Sequence, residues 1–121
     1  FARHPNRHNP YARSLLQGEL TLETPPPQAK DIQLVHADVA NFLENQPTGC
    51  FDGFTLSNIL DGTDKAYQHR LITAVKRAAR PGAITVLRSF SDADANSPLN
   101  RAKDDRSMLW GSVLVRPVCD L

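Results

Sequence analysis

Sulfur and aromatic residues are scarce in this chain: two cysteines, one methionine, one tryptophan, two tyrosines and five phenylalanines among 121 residues. Cys50 and Cys119 lie far apart and form no CxxC pair, which argues against a zinc site or a disulfide framework. A reduced, cytoplasmic setting is the default. Neither sign of charge dominates, since 14 Lys and Arg face 13 Asp and Glu for a net charge of +1. The clustered basic excess of nucleic-acid binders is missing, so no nucleic-acid partner is expected. No apolar run approaches the roughly 18–20 residues of a membrane span, so any work at a membrane is done from its surface. There is no Walker loop, GxGxxG, GxSxG elbow or HExxH. His4, His8, His36 and His69 make no metal-ligand spacing. The sequence starts at Phe1 with no signal peptide before it, and reads as a trimmed chain or a fragment.

What is present fits one domain: 40% apolar and 22% charged residues are ordinary globular usage. Residues 1–30 read as a Pro-rich arm, basic at its start, with Arg3, Arg7, Arg13, His4 and His8 ahead of the first acid, Glu19. That charge can attract an anionic membrane surface or simply be solvated. Within the arm, YARSLLQGEL holds about two helical turns ending near Gly18, and Pro25–Pro27 make an extended connector.

Residues 31–121 carry the regular pattern. Ile32–Ala37 is a short β-branched and aliphatic run that predicts a strand, with His36 packed in it. Asp38 precedes Val39, Phe42 and Leu43 at helical spacing and is placed to cap a short helix. Phe51–Leu60 predicts a second strand ending near Ser57-Asn58. Residues 64–79 carry the best helical stripe, Tyr67, Leu71, Ala74, Val75 and Ala78, capped by Thr63 or Asp64 and stopped by Pro81-Gly82. Ala83–Leu87 predicts a third strand leading to Arg88-Ser89. Ser97-Pro98 is a helix-start signature, and Met108–Val115 predicts a last strand.

Strands alternating with helices predict an α/β domain: about four strands, mainly parallel with a last antiparallel strand, and helices on both faces. In such sheets ligands collect beyond the carboxyl ends of the parallel strands. Three strands here end in polar groups: Asp38, then Ser57-Asn58 with Asp61, then Arg88-Ser89. Loops after strands are polar in most domains, so this convergence by itself leaves a ligand site and a solvated rim both open.

NPYARSLLQGEL, IQLVHADVANFL, FDGFTLSNILDG, PGAITVLRSF and DRSMLWGSVLV, in this order, resemble the S-adenosylmethionine:diacylglycerol 3-amino-3-carboxypropyl transferase family, which makes the head-group precursor of betaine lipids. The likeness runs over nearly the whole chain, and its most specific elements are FTLSNILD and the late DRS. The PGAITVL segment is generic to class I S-adenosylmethionine-dependent transferases, which share a Rossmann-like sheet. The resemblance implies the carboxy-terminal portion of such an enzyme, without the glycine-rich turn that cradles the amino-acid end of S-adenosylmethionine. Tight cofactor binding is therefore not expected of these residues alone.

The match implies roles residue by residue. Asp38 corresponds to the acid that accepts the adenine amino group, with Val39 against the ring. Ser57 and Asn58 border the sulfonium end. Asp61 and Asp105 are the candidate bases for an alcohol acceptor. Tyr11, Arg88, Arg106 and Ser107 are candidates for holding the lipid acceptor, the arginines through a carboxylate or phosphate. Asp105 paired with an arginine is the structural alternative. Further expectations are a peripheral place at a membrane and a homodimer through the exposed sheet edge left by the absent strands. An ordinary methyltransferase and a non-catalytic interaction domain are the competing functions.

Overall fold

The computed structural model describes residues 9–18, 31–91, 96–107 and 109–121. Helix α1 spans Pro10–Gln17, α2 Val39–Glu44 and α3 Lys65–Ala78; strand β1 spans Phe51–Ser57, β2 Ala79–Ser89 and β3 Ser112–Pro117, followed by a 3₁₀ turn over Val118–Asp120. The three strands form one sheet in the order β1-β2-β3. β1 and β2 run parallel, whereas β2 and β3 run antiparallel with Ser89 opposite Ser112 and Ile84 opposite Pro117. The expected final antiparallel strand is present. The sheet is mixed, with one parallel and one antiparallel pair among the described residues, rather than four strands in mainly parallel order.

Each helix start follows from a short polar side chain placed to accept an orphan amide. The Asp38 carboxylate accepts the Asn41 N–H at 2.9 Å, the Asp64 carboxylate accepts the Tyr67 N–H at 2.8 Å, and the Asn9 side chain accepts the Tyr11 N–H at 3.1 Å. Pro10 sits in the first turn of α1, where its missing N–H costs nothing. Gly18 then ends α1 with φ 72°, and its N–H reaches the Ser14 carbonyl.

The stripe on α3 buries Leu71, Ala74, Val75 and Ala78 against Ala40 and Leu43 of α2, Leu56 of β1, Ala83 of β2 and Val118. Strand alternation puts Leu56, Ala83, Thr85 and Leu87 on that same face. Thr85 is fully buried there, and its hydroxyl donates to the Arg116 carbonyl at 3.1 Å. Helices α2 and α3 thus both cover one face. On the other face Val113 is buried, while Ile84 and Val115 are 43% and 42% exposed.

Four further expectations are corrected. Residues 32–36 are not a strand: Ile32, Leu34 and Val35 are exposed, and so is His36. No described strand lies beside that run to take up its backbone groups, and β-propensity cannot hold a strand without a partner. Pro81-Gly82 does not separate helix from strand, because Ala79 is already extended and opposite Phe51. The pairing then resumes at Gly53 opposite Ile84, which leaves Arg80–Ala83 as a bulge with Gly82 at φ 84°. Ser97-Pro98 forms a turn instead of a helix, with the Ser97 hydroxyl accepting the Leu99 N–H and its carbonyl accepting the Asn100 N–H. The last strand starts at Ser112, because Trp110 is held out of the sheet by stacking on Phe90, with ring centroids 5.0 Å apart.

The short α2 has no basic residue in its last turn, and Arg77 of α3 supplies the missing donors. Its guanidinium donates to the carbonyls of Leu43 at 2.6 Å, Glu44 at 2.8 Å and Gln46 at 2.6 Å. Arg77→Ala strands these carbonyls, and we expect a loss of about 1.5–3 kcal/mol in urea unfolding, with Arg77→Lys recovering part of it. The expected extended connector at Pro25–Pro27 and the basic residues Arg3, Arg7, His4 and His8 lie outside the described residues.

Candidate functional site

The parallel strands β1 and β2 end together. The Asn58 N–H donates to the Arg88 carbonyl at 2.8 Å, extending the pairing one residue past β1. There the backbone turns sharply, with Asn58 at φ 62°, the left-handed region that a non-glycine residue enters at a cost and that Asn tolerates better than most. The turn returns through the Asn58 carbonyl, which accepts the Asp61 N–H at 3.3 Å. Asp61 then faces the end of β2: its carboxylate accepts the Ser89 hydroxyl at 2.7 and 2.9 Å and the Phe90 N–H at 3.1 Å. Between these elements opens a cleft of about 290 Å³, lined by Leu56, Ile59, Leu60, Leu87 and Leu114 with Asp61, Arg88, Ser89, Ser112 and Arg116 among its polar groups.

Asp38 lies at the same end of the sheet. Tyr67, in the first turn of α3, donates its hydroxyl to the second Asp38 oxygen at 2.8 Å, while the first caps α2. The Asn41 amide and then the Tyr67 hydroxyl hold the Asp38 carboxyl below the ordinary aspartate range. The same hydrogen bond, together with partial burial, pushes the Tyr67 phenol up. A carboxylate offers about four lone-pair positions, so Asp38 can accept a further donor without giving up either bond. Val39 begins α2 and packs against the core.

The pH dependence follows from the direction of that shift. A carboxyl with a lower pKa folded than unfolded adds stability that is complete above the ordinary value of about 3.9 and is lost as pH falls through the folded value. Tyr67→Phe removes one of the groups favouring the ionised form. The gap in urea midpoint between wild type and this variant is expected to be open above the ordinary aspartate value of about 3.9 and to narrow as pH falls below it. A gap that does not change with pH would assign the hydroxyl some other role.

Of the remaining candidates Arg88 also lines the cleft, whereas Tyr11, Ser57, Asp105, Arg106 and Ser107 do not. Ser57 and Arg88 are neighbours across the parallel strands, and alternation puts them on the face turned away from α2 and α3, unlike Ser89 and Asp61. Asp105 is taken up locally, accepting the Ser107 hydroxyl in a short hydrogen bond and the Ser107 N–H at 3.4 Å. It pairs with no arginine among the described residues, where Arg101 instead meets Asp104 at 3.9 Å. Tyr11 is 52% exposed on α1.

One residue that sequence reasoning passed over joins two of these segments. Asn9, 2% exposed, donates from its side chain to the Arg106 carbonyl at 2.9 Å and accepts the Tyr11 N–H, binding the start of α1 to the DRS segment 97 residues away. Its signal was an Asn directly before a proline at a helix start. Arg116 was also missed, because its position in the cleft depends on the strand register, which the sequence does not print. No protein-family model, curated protein or solved structure matches this chain.

Proposed function

We propose that the chain is the carboxy-terminal portion of an S-adenosylmethionine-dependent transferase that moves a 3-amino-3-carboxypropyl group to the hydroxyl of diacylglycerol. One observation carries the reading. The two parallel strands end in a single polar rim, where Asn58 turns in the left-handed region, Asp61 closes onto Ser89, and Asp38 stands at the same end through Tyr67. A partial Rossmann-like sheet is compatible with a parallel pair followed by an antiparallel strand in the order β1-β2-β3.

In this reading Asp38 accepts the adenine amine, Val39 lies against the ring, and Ser57 and Asn58 border the sulfonium. The donor set fits only part of the ligand, since the sequence holds no glycine-rich turn for its amino-acid end. When bound, the sulfonium supplies an electrophilic carbon, with methylthioadenosine as the leaving group. Asp61, which lines the cleft, is the better placed base for the acceptor hydroxyl, whereas Asp105 is engaged by Ser107. Arg88 and Arg106 remain the groups for an anionic part of the acceptor complex.

Tyr11, Leu15 and Leu16, all exposed on α1, support contact with a lipid surface. No helix among the described residues is long and apolar enough to cross a membrane. β1 has no strand on its outer edge among the described residues and carries neither Lys nor Pro, which supports pairing with a second copy. Light scattering after size exclusion is expected to give a dimer, and a clean monomer would remove that part.

Calorimetry with S-adenosylmethionine, followed by product analysis with dispersed diacylglycerol, tests the whole. Methylthioadenosine supports aminocarboxypropyl transfer, and S-adenosylhomocysteine would mean methylation. No heat at millimolar ligand would leave an interaction domain.

A further inference from the structure

The cleft has a polarity that the transfer reading does not use. Ser89 and Ser112 stand opposite each other at one end, beside Asp61, while Arg116 stands opposite Thr85 at the other. The two ends are four residues apart along the strands, about 13 Å at the rise of an extended chain. Leu87 and Leu114, directly opposite each other, form the floor between them, and Leu56, Ile59 and Leu60 add apolar wall.

The Nε of Arg116 is buried and has no hydrogen-bond partner among the described residues, and Arg116 takes part in no ion pair there. A buried donor left without an acceptor is costly, more so on a charged group. Arg116 lines the cleft without an ion-pair partner among the described residues, and a guanidinium matches the geometry of a carboxylate or phosphate. Arg88 also lines the cleft at the far end, but there the Asp61 carboxylate repels the same anion, whereas the Arg116 end has no carboxylate in its lining.

We propose that this cleft binds a small anionic amphiphile, its carboxylate or phosphate head on Arg116 and a short unbranched alkyl chain along Leu87 and Leu114. The site stands whether or not the chain handles a sulfonium nucleotide.

The test is calorimetry on the full chain without S-adenosylmethionine, using octanoate, octyl phosphate and octylamine as probes. At least one of the two anions binds and octylamine does not; octanoate alone assigns a carboxylate head, octyl phosphate alone a phosphate head. Acetate and inorganic phosphate, which lack the chain, bind far more weakly. Arg116→Met weakens the bound anion by about tenfold or more, and Arg116→Lys restores part of the affinity. Binding of neither anion overturns the proposal, as does octylamine binding as well as octanoate. Unchanged affinity in a folded Arg116→Met protein overturns it too. Should Arg116→Met fail to fold by circular dichroism, the ranking of probes on the wild-type chain decides.

Discussion

Leu71→Ala is expected to lower the stability of this chain by about 2–5 kcal/mol, the cost of lost transfer free energy plus an unfilled cavity. Leu71 has no exposed surface and sits in the middle of the α3 stripe. The core around it is built largely from small residues: Ala40, Ala74, Ala78 and Ala83 supply much of the contact, with Leu43, Leu56, Val75 and Val118 as the larger members. Alanines on opposing elements let helices approach closely, but they cannot move to refill a hole. Domains of this size have about 5–15 kcal/mol in all, so a thermal midpoint lower by about 10–20 °C is the expected reading. Leu71→Met, which conserves volume, should cost less than about 1.5 kcal/mol. A Leu71→Ala protein that melts with the wild type would mean that α3 does not anchor the core.

The elements that could be read from the sequence are those whose signal is local. The spacing of Leu71, Ala74, Val75 and Ala78 predicts α3, and Asp38 and Asp64 mark helix starts by residue type alone; the structure gives Lys65–Ala78 and both caps. The strand predicted to end near Ser57-Asn58 ends at Ser57. The misreadings involve partners that local pattern does not report. Ile32–Ala37 has the composition of a strand but no described neighbour to pair with. Trp110, predicted within the last strand, is drawn out by Phe90, a contact between residues 20 positions apart.

The site divides the same way. Polar residues after apolar runs marked Asp38, Asn58 and Asp61, and the structure puts all three at one end of the sheet. Arg88 and Ser89 read as one unit in the sequence, yet alternation along β2 sends them to opposite faces. Only the register of β3 on β2 places Arg116 four residues down the groove from Ser112. A one-residue slip would have turned it out of the cleft. Asn9 and Arg106 meet across nearly the full length of the chain, a pairing that no window of sequence contains.

Asp61→Ala should have the largest effect on ligand binding. The Asp61 carboxylate takes two donors, the Ser89 hydroxyl shared between its two oxygens and the Phe90 N–H, and with the Asn58 N–H on the Arg88 carbonyl it attaches the 58–61 turn to the end of β2. Phe90 in turn stacks on Trp110, and the Ser89 carbonyl accepts the Gly111 N–H at 3.0 Å. Removing the carboxylate therefore loosens the polar rim and the aromatic pair together. Hydrogen bonds to a charged group contribute about 1.5–3 kcal/mol when shielded from water and less where exposed, as here. The thermal midpoint should accordingly fall by only a few degrees. Any heat of S-adenosylmethionine binding should fall by about tenfold or more in affinity, since a change of about 1.4 kcal/mol suffices for that. Trp110, the single tryptophan, reports the local change directly through a red-shifted emission. Asp61→Asn keeps an acceptor for one donor and should lie between the two. An Asp61→Ala protein with unaltered tryptophan emission and undiminished ligand heat would show that the turn is held by other contacts and that the rim is not a binding site.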